Sequence, residues 1–178
     1  RERLVPLAEG KVLEVGIGSG LTLPFYEKSV HVTGLDPSLE LQAYAREVAE
    51  KEGIDVNFIG LSGEEIPADN NSFDTVVMTW TLCTIPDPRQ ALMEIKRVLK
   101  PRGKVIFAEH GEAPDVNIAK WQARINPVWN VIGGGCHLNR KIESLYEGSG
   151  FNFDEIEKGY LEGPRIATYN FRGIASIA

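Results

Sequence analysis

The sequence predicts one domain built on an open, mostly parallel α/β sheet. Three observations predict it. Short β-type runs alternate with helical patterns between Lys11 and His110. The first run ends on the glycine turn Gly16-Ile17-Gly18-Ser19-Gly20. The tail holds two further strand-like runs, joined by a link too short for a crossover helix. Alternation of the first kind makes βαβ units and a parallel sheet, whereas a short link forces its two strands to pair antiparallel. A length of 178 residues, 43% hydrophobic and 25% charged, fits one soluble domain over 1–178.

The elements follow in order. "KVLEV" is a strand that ends at the glycine turn, and "VHVTGLD" is a second strand that ends at Asp36. "SLELQAYAREVAEKEG" has helical periodicity, with Leu41, Tyr44, Ala45 and Val48 on one face and Gly53 as the stop. "VNFIG" is a third strand. "FDTVVMTW" is a fourth, almost continuously apolar or β-branched, as a strand covered on both faces should be. In "DPRQALMEIKRVLKPRG" Asp87 is the N-cap and Pro88 the first helical residue, with Gly103 beyond the end. "KVIFAEH" is a fifth strand. "LNRKIESLYEGSG" predicts a helix, and "FNFDEIEKGY" and "RIATYNFRGIAS", linked by "LEGP", predict the antiparallel pair. The span from Gly111 to His137 has no clear period; a connection that long is usually functional or partly helical.

Composition narrows the function. A net charge of −6 argues against nucleic acid as the main partner, because phosphate binding needs clustered Lys and Arg. The two cysteines, Cys83 and Cys136, form no CxxC and no zinc spacing with the histidines. Neither a disulfide framework nor a metal site is expected, and the usage suits a reducing cytoplasm. No run of 18 apolar residues is present, so no membrane span is expected. No signal peptide is visible in the residues shown; they begin at Arg1 rather than Met, and whether a segment precedes them is left open.

The glycine turn is the richest feature. In an open α/β sheet, ligands bind outside the carboxyl ends of the strands, and the turn lies at the end of the first one. Glycines let a ligand approach the backbone closely. A tight turn with nothing bound is the alternative. Two acids argue for a ligand. Glu14 lies within the first strand, and Asp36 ends the second, where a carboxylate can accept from two ribose hydroxyls. The pattern is G-x-G-x-G rather than the dinucleotide G-x-G-x-x-G, and Glu14 disfavours a pyrophosphate. An ammonium or sulfonium suits it better.

As a set, "VLEVGIGSG", "GLDPS", "GEEIPADNNSFDTVV" and "LMEIKRVLKPRGKVIFAE" resemble class I S-adenosylmethionine-dependent methyltransferases over roughly residues 10–160. The nearest resemblance is to small-molecule enzymes of the ubiquinone/menaquinone C-methyltransferase type. "AEHG", "WQARINPVW" and "GGCHLNR" further resemble a branch of membrane-associated thiol methyltransferases and bacterial phospholipid methyltransferases. The resemblance implies a Rossmann-like, doubly wound, seven-stranded sheet with an antiparallel last strand. It implies a cofactor half at roughly 10–110 and an acceptor-side insert at roughly 111–137. It implies S-adenosylmethionine as the cofactor. Glu14, Gly16, Gly18 and Gly20 would surround its methionine part, Asp36 would bind the ribose, and Pro37 and Ser38 would flank the adenine. Ser62 and Gly63 of "LSGEE" would meet the adenine ring, and the Thr79 carbonyl would face the ammonium. An Asp commonly stands where Ser62 aligns, and a hydroxyl accepts more weakly than a carboxylate. A plain loop role for Ser62 and a helix-cap role for Ser38 stay open.

The acceptor side is less legible. Methyl transfer from a sulfonium is an in-line displacement that needs alignment and dryness, and a general base is optional. His110, directly after the fifth strand, is the candidate base or acceptor contact; a hydrogen-bonded structural His is the alternative. Cys83, Trp121, Trp129, His137 and Arg140 are candidate acceptor contacts. Each has a plainer reading: a small packed cysteine, core tryptophans in an amphipathic insert with Ile125 and Val128, a helix start at His137 and Asn139, and a solvated cationic face. The expected function is methylation of a small, lipophilic acceptor of quinone, lipid or thiol type, in the cytoplasm with peripheral membrane contact allowed. The rival is a non-catalytic cofactor-binding or interaction module. Oligomeric state is left open.

Overall fold

Four consecutive residues of the first strand, Val12 to Val15, are buried, so both faces of that strand are covered. A computed structural model, describing residues 1–178, shows what covers them. The sheet has seven strands: β1 (Lys11–Val15), β2 (His31–Leu35), β3 (Val56–Ile59), β4 (Phe73–Thr79), β5 (Leu99–His110), β6 (Phe151–Tyr160) and β7 (Tyr169–Ile177). Their order is β3-β2-β1-β4-β5-β7-β6. The first five run parallel, and β7 is antiparallel to both β5 and β6. The chain winds outward from β1 to β3, then returns to place β4 on the other side of β1. That reversal opens a crevice at the carboxyl ends of β1 and β4.

The helices are α1 (Leu39–Glu52), α2 (Pro88–Val98), α3 (Val116–Ile132), α4 (Ile142–Gly148) and a single turn, α5 (Arg165–Thr168). Two apolar cores lie on the sheet. One includes Val76, Leu92, Ile95, Phe107 and Tyr146, and the other Val12, Ile17, Leu23, Ala45 and Val77. In α2 the apolar residues Ala91, Leu92, Ile95 and Val98 recur on one face and are buried, and Asp87 accepts from the Arg89 and Gln90 N–H groups. The cap contributes about 1 kcal/mol. Gly53 closes α1 in the left-handed region at φ 65°.

Several expectations are corrected. In α1 the buried residues are Gln42, Ala45 and Ala49, while Leu41 and Tyr44 are exposed. The small residues let the glycine turn press on the helix, and Gln42 donates to the carbonyls of Asp36 and Ile59. The last long helix starts at Ile142 rather than at His137 or Asn139. The Glu112 N–H bonds to the Arg140 carbonyl, so the chain stays extended there. Residues 165–168 form a helical turn before β7, not strand. The span after β5 is largely the helix α3, and its buried residues are Gln122 and Asn126, not a tryptophan face. Those two amides satisfy backbone groups that have no ladder partner. Gln122 accepts from the Ala113 N–H and donates to the Gly111 carbonyl, and Asn126 accepts from the Leu138 N–H. Trp121, Val128, Val131 and Ile132 face outward.

Candidate active site

The crevice holds a cavity of about 520 Å³. One wall is the glycine turn. Gly16 takes φ 75°, and a Cβ there would lie 2.3 Å from the Thr81 side chain, so no other residue fits. Gly18 takes φ 53°, yet a Cβ there would meet nothing within 4 Å. Its missing side chain leaves room for a ligand rather than for the protein. Gly20 lies outside the lining; a Cβ there would sit 3.0 Å from the Ala45 Cα, so it serves the packing of α1.

Asp36 orders this wall. Its carboxylate accepts from the Gly18 N–H at 2.9 Å and from the Ser38 N–H at 2.8 Å, tying the loops after β1 and β2 together. A carboxylate has about four lone-pair sites, so two stay free for hydroxyl donors. The Ser38 hydroxyl caps α1 by accepting from the Leu41 N–H. Pro37, Ser38, Ser62, Gly63 and Thr79 all line the cavity. The Ser62 hydroxyl donates to Glu64, and the Thr79 carbonyl accepts from the Thr81 hydroxyl.

Glu14 closes the floor. It is 1% exposed and accepts from the Thr22 and Tyr26 hydroxyls. Burial pushes its carboxyl up to about 7, against the lowering effect of those two bonds and of Arg1. A buried carboxyl poised near neutrality gains most from a cationic ligand.

Glu109 was not singled out from the sequence, though an acid inside "KVIFAEH" is its mark. It is fully buried and accepts from the Thr81, Leu82 and Cys83 N–H groups at 3.1, 3.0 and 3.2 Å. Burial lifts it to about 7, and those N–H groups oppose the rise. It fixes the loop after β4, whose Trp80, Thr81, Thr84, Ile85 and Pro86 form the second wall. Trp80 has φ 56° and carries the Arg1 guanidinium 4.4 Å above its ring. The stretch "WTLCTIPDP", directly after β4, is a candidate wall by its position alone, while which of its side chains face inward is set by what holds the loop.

The acceptor candidates fall into two groups. Cys83 and His110 are outside the lining of the cavity and meet Cys136. The others lie around α3. His137 sits between the Asn126 and Asn130 amides at 3.1 Å on each side, and burial lowers its pKa, with Arg140 adding to the effect. Trp121 is 55% exposed. Trp129 is half-buried with its indole nitrogen out of solvent. Arg140 precedes α4 and donates to the Ile85 carbonyl at 2.6 Å, while its other terminal nitrogen is buried without a partner.

Comparison with known proteins identifies the family. A family model described as a methyltransferase domain matches residues 13–107. The chain is 35% identical to the thiol S-methyltransferase TMT1B of Rattus norvegicus, over 84% of this chain and 63% of the relative. It is 38% identical to the phosphatidylethanolamine N-methyltransferase of Cereibacter sphaeroides, over 57% of this chain and 51% of that one. The chain therefore spans slightly less than two thirds of the thiol S-methyltransferase it matches. A solved S-adenosylmethionine-dependent methyltransferase from Methanosarcina mazei superposes with a TM-score of 0.73 at 23% identity, covering 94% of this chain and 92% of the other. The cyclase SpnF superposes with a TM-score of 0.76 at 19% identity, covering 98% and 77%, so the fold alone does not name a reaction. No helix is long and apolar enough to cross a membrane. The sheet order, the glycine turn with Asp36 and the matched family place this chain in the class I S-adenosylmethionine-dependent methyltransferase family.

Proposed function

We propose that this protein transfers the methyl group of S-adenosylmethionine to the sulfur of a small, apolar thiol. The observation that carries the reading is the cavity between the glycine turn and the loop after β4, lined by both carboxylates a cationic nucleoside needs. In this reading Asp36 accepts from the ribose hydroxyls. Ser38, Ser62 and Gly63 bracket the adenine. Gly16 and Gly18 make room for the methionine arm, and Thr79 and Glu14 favour its ammonium. The sulfonium then faces the wall of Trp80, Thr81 and Thr84, with Cys83 and His110 outside that lining.

The thiol assignment is supported by the 35% identity to thiol S-methyltransferases along most of the chain. The chemistry is undemanding. A free thiol ionises near about 8.5, so alignment and exclusion of water supply most of what the displacement requires. His110 is the side chain proposed to meet the acceptor. Apolar character is supported by the outward apolar residues of α3, namely Val116, Trp121, Val128, Val131 and Ile132. An apolar acceptor, or a membrane surface delivering it, would meet that helix first.

The test is transfer of labelled methyl from S-adenosylmethionine to a matched alkane thiol, alcohol and amine. The reading expects the thioether as the main product. Preferential methylation of the amine or the alcohol overturns it.

A further inference from the structure

Two thiols and an imidazole converge from three separate parts of the chain. Cys83 lies in the loop after β4, His110 ends β5, and Cys136 follows α3. Their ligand atoms all lie within 4.8 Å of one another, and Cys136 Sγ is 3.9 Å from His110 Nδ1. Zinc binds sulfur at about 2.3 Å and imidazole nitrogen at about 2.0–2.1 Å, so tetrahedral ligand atoms stand about 3.6–3.8 Å apart. The triangle needs to contract by about 1 Å at most to reach that geometry.

The fold holds each corner. Glu109 accepts from the Cys83 N–H, and the Cys83 carbonyl accepts from the His137 N–H at 2.8 Å, which fastens the segment after α3 to the loop after β4. Gly134 and Gly135 turn at φ 61° and 93°, and the Cys136 N–H bonds back to the Gly133 carbonyl. His110 is fixed by pairing with Asn170 across the sheet.

The donor chemistry suits a soft cation. The set is two cysteine sulfurs and one imidazole nitrogen, with Cys83 buried and His110 and Cys136 partly buried.

We propose that Cys83, His110 and Cys136 form a binding site for a thiophilic divalent cation of the zinc type, with three protein ligands and a fourth position towards the cofactor cavity. The placement supports the open position. Thr84, which follows Cys83, and Gly134, two residues before Cys136, line that cavity, as does Trp80, whose ring centre is 6.2 Å from that of His110. Sites with three protein ligands and one free position are the reactive kind, and a thiolate is a natural fourth ligand. The metal site does not depend on which acceptor the protein methylates.

The test uses the reduced, metal-free full chain, titrated with Co²⁺ and then with Zn²⁺ in the absence of cofactor and acceptor. The proposal expects one Co²⁺ per chain, a thiolate-to-cobalt charge-transfer band, and its loss on adding one equivalent of Zn²⁺. Cys136→Ser and His110→Gln, each checked for folding by circular dichroism, should weaken Zn²⁺ binding by about a hundredfold or more. Folded wild-type protein without the thiolate band overturns the proposal, and so does equal Zn²⁺ affinity in a folded Cys136→Ser variant. If a variant fails to fold, the wild-type cobalt spectrum decides by itself.

Discussion

Lowering the pH should weaken cofactor binding through Glu14. Its carboxyl is buried and pushed up to about 7, so at pH 5.5 the free protein carries it neutral. S-adenosylmethionine brings an ammonium, a sulfonium and a carboxylate, a net single positive charge. A cation about 6 Å away at an effective dielectric near 20 contributes about 2.8 kcal/mol, or about two pKa units, and draws Glu14 to about 5 in the complex. Protonation then weakens the observed affinity about 25-fold at pH 5.5 but about twofold at pH 7, a difference of about tenfold. Isothermal calorimetry at the two pH values measures it. Glu14→Gln should bind more weakly at pH 7 and lose most of the pH dependence. A flat wild-type profile, or an equal slope in Glu14→Gln, refutes the placement of the ammonium beside Glu14. The same group sets a stability trend in the free protein. Its folded value is raised above the ordinary 4.5, so the folded state binds the proton more tightly. The penalty is absent below about pH 4.5, grows as pH rises and is complete above about 7, where it reaches about 3 kcal/mol. Glu14→Gln should therefore remove part of the fall in melting temperature between pH 5 and 8, the buried Glu109 supplying a second part over the same range.

Three further outcomes are expected. Asp36→Ala should weaken cofactor binding at least tenfold by calorimetry, because a charged acceptor for the ribose is lost, at about 1.5–3 kcal/mol, and the Gly18 loop loses its anchor. Gly18→Val should keep the fold by circular dichroism at some cost in melting temperature, because its side chain enters open space but a β-branched residue is strained at φ 53°, and it should lose cofactor binding because it fills the cradle. Trp121→Ala should leave the melting temperature within the scatter of a surface change, about 0.5 kcal/mol, while lowering methyl transfer to an apolar acceptor; a large drop in melting temperature would make Trp121 structural.

The cavity at the strand ends was legible where it rests on local signals. The glycine turn, Glu14 and Asp36 sit at strand ends that the alternation of β-type runs and helices locates, and the structure brings them to one cavity. Asp87, Pro88 and Gly53 behave as their positions predict, because a cap depends on its own turn. The acceptor side was not legible, because its contacts are long-range. Nothing in the spacing of Cys83, His110 and Cys136 shows that they meet, since the meeting depends on β4 and β5 being neighbours and on α3 folding back. Periodicity failed on α3 for a related reason. Its inward face is set by Gln122 and Asn126, which satisfy loop amides, and this leaves the apolar residues outside. On α1 the close approach of the glycine turn requires a small residue at Ala45, and the larger Leu41 and Tyr44 stay outside.

The most direct measurement is a crystal structure of the protein with S-adenosylhomocysteine, the demethylated cofactor. The account predicts both ribose hydroxyls on the Asp36 carboxylate, the adenine between Ser38 and Gly63, and the sulfur directed at the loop of Trp80 to Cys83. A nucleoside bound away from Asp36, or a sulfur turned away from that loop, would contradict it.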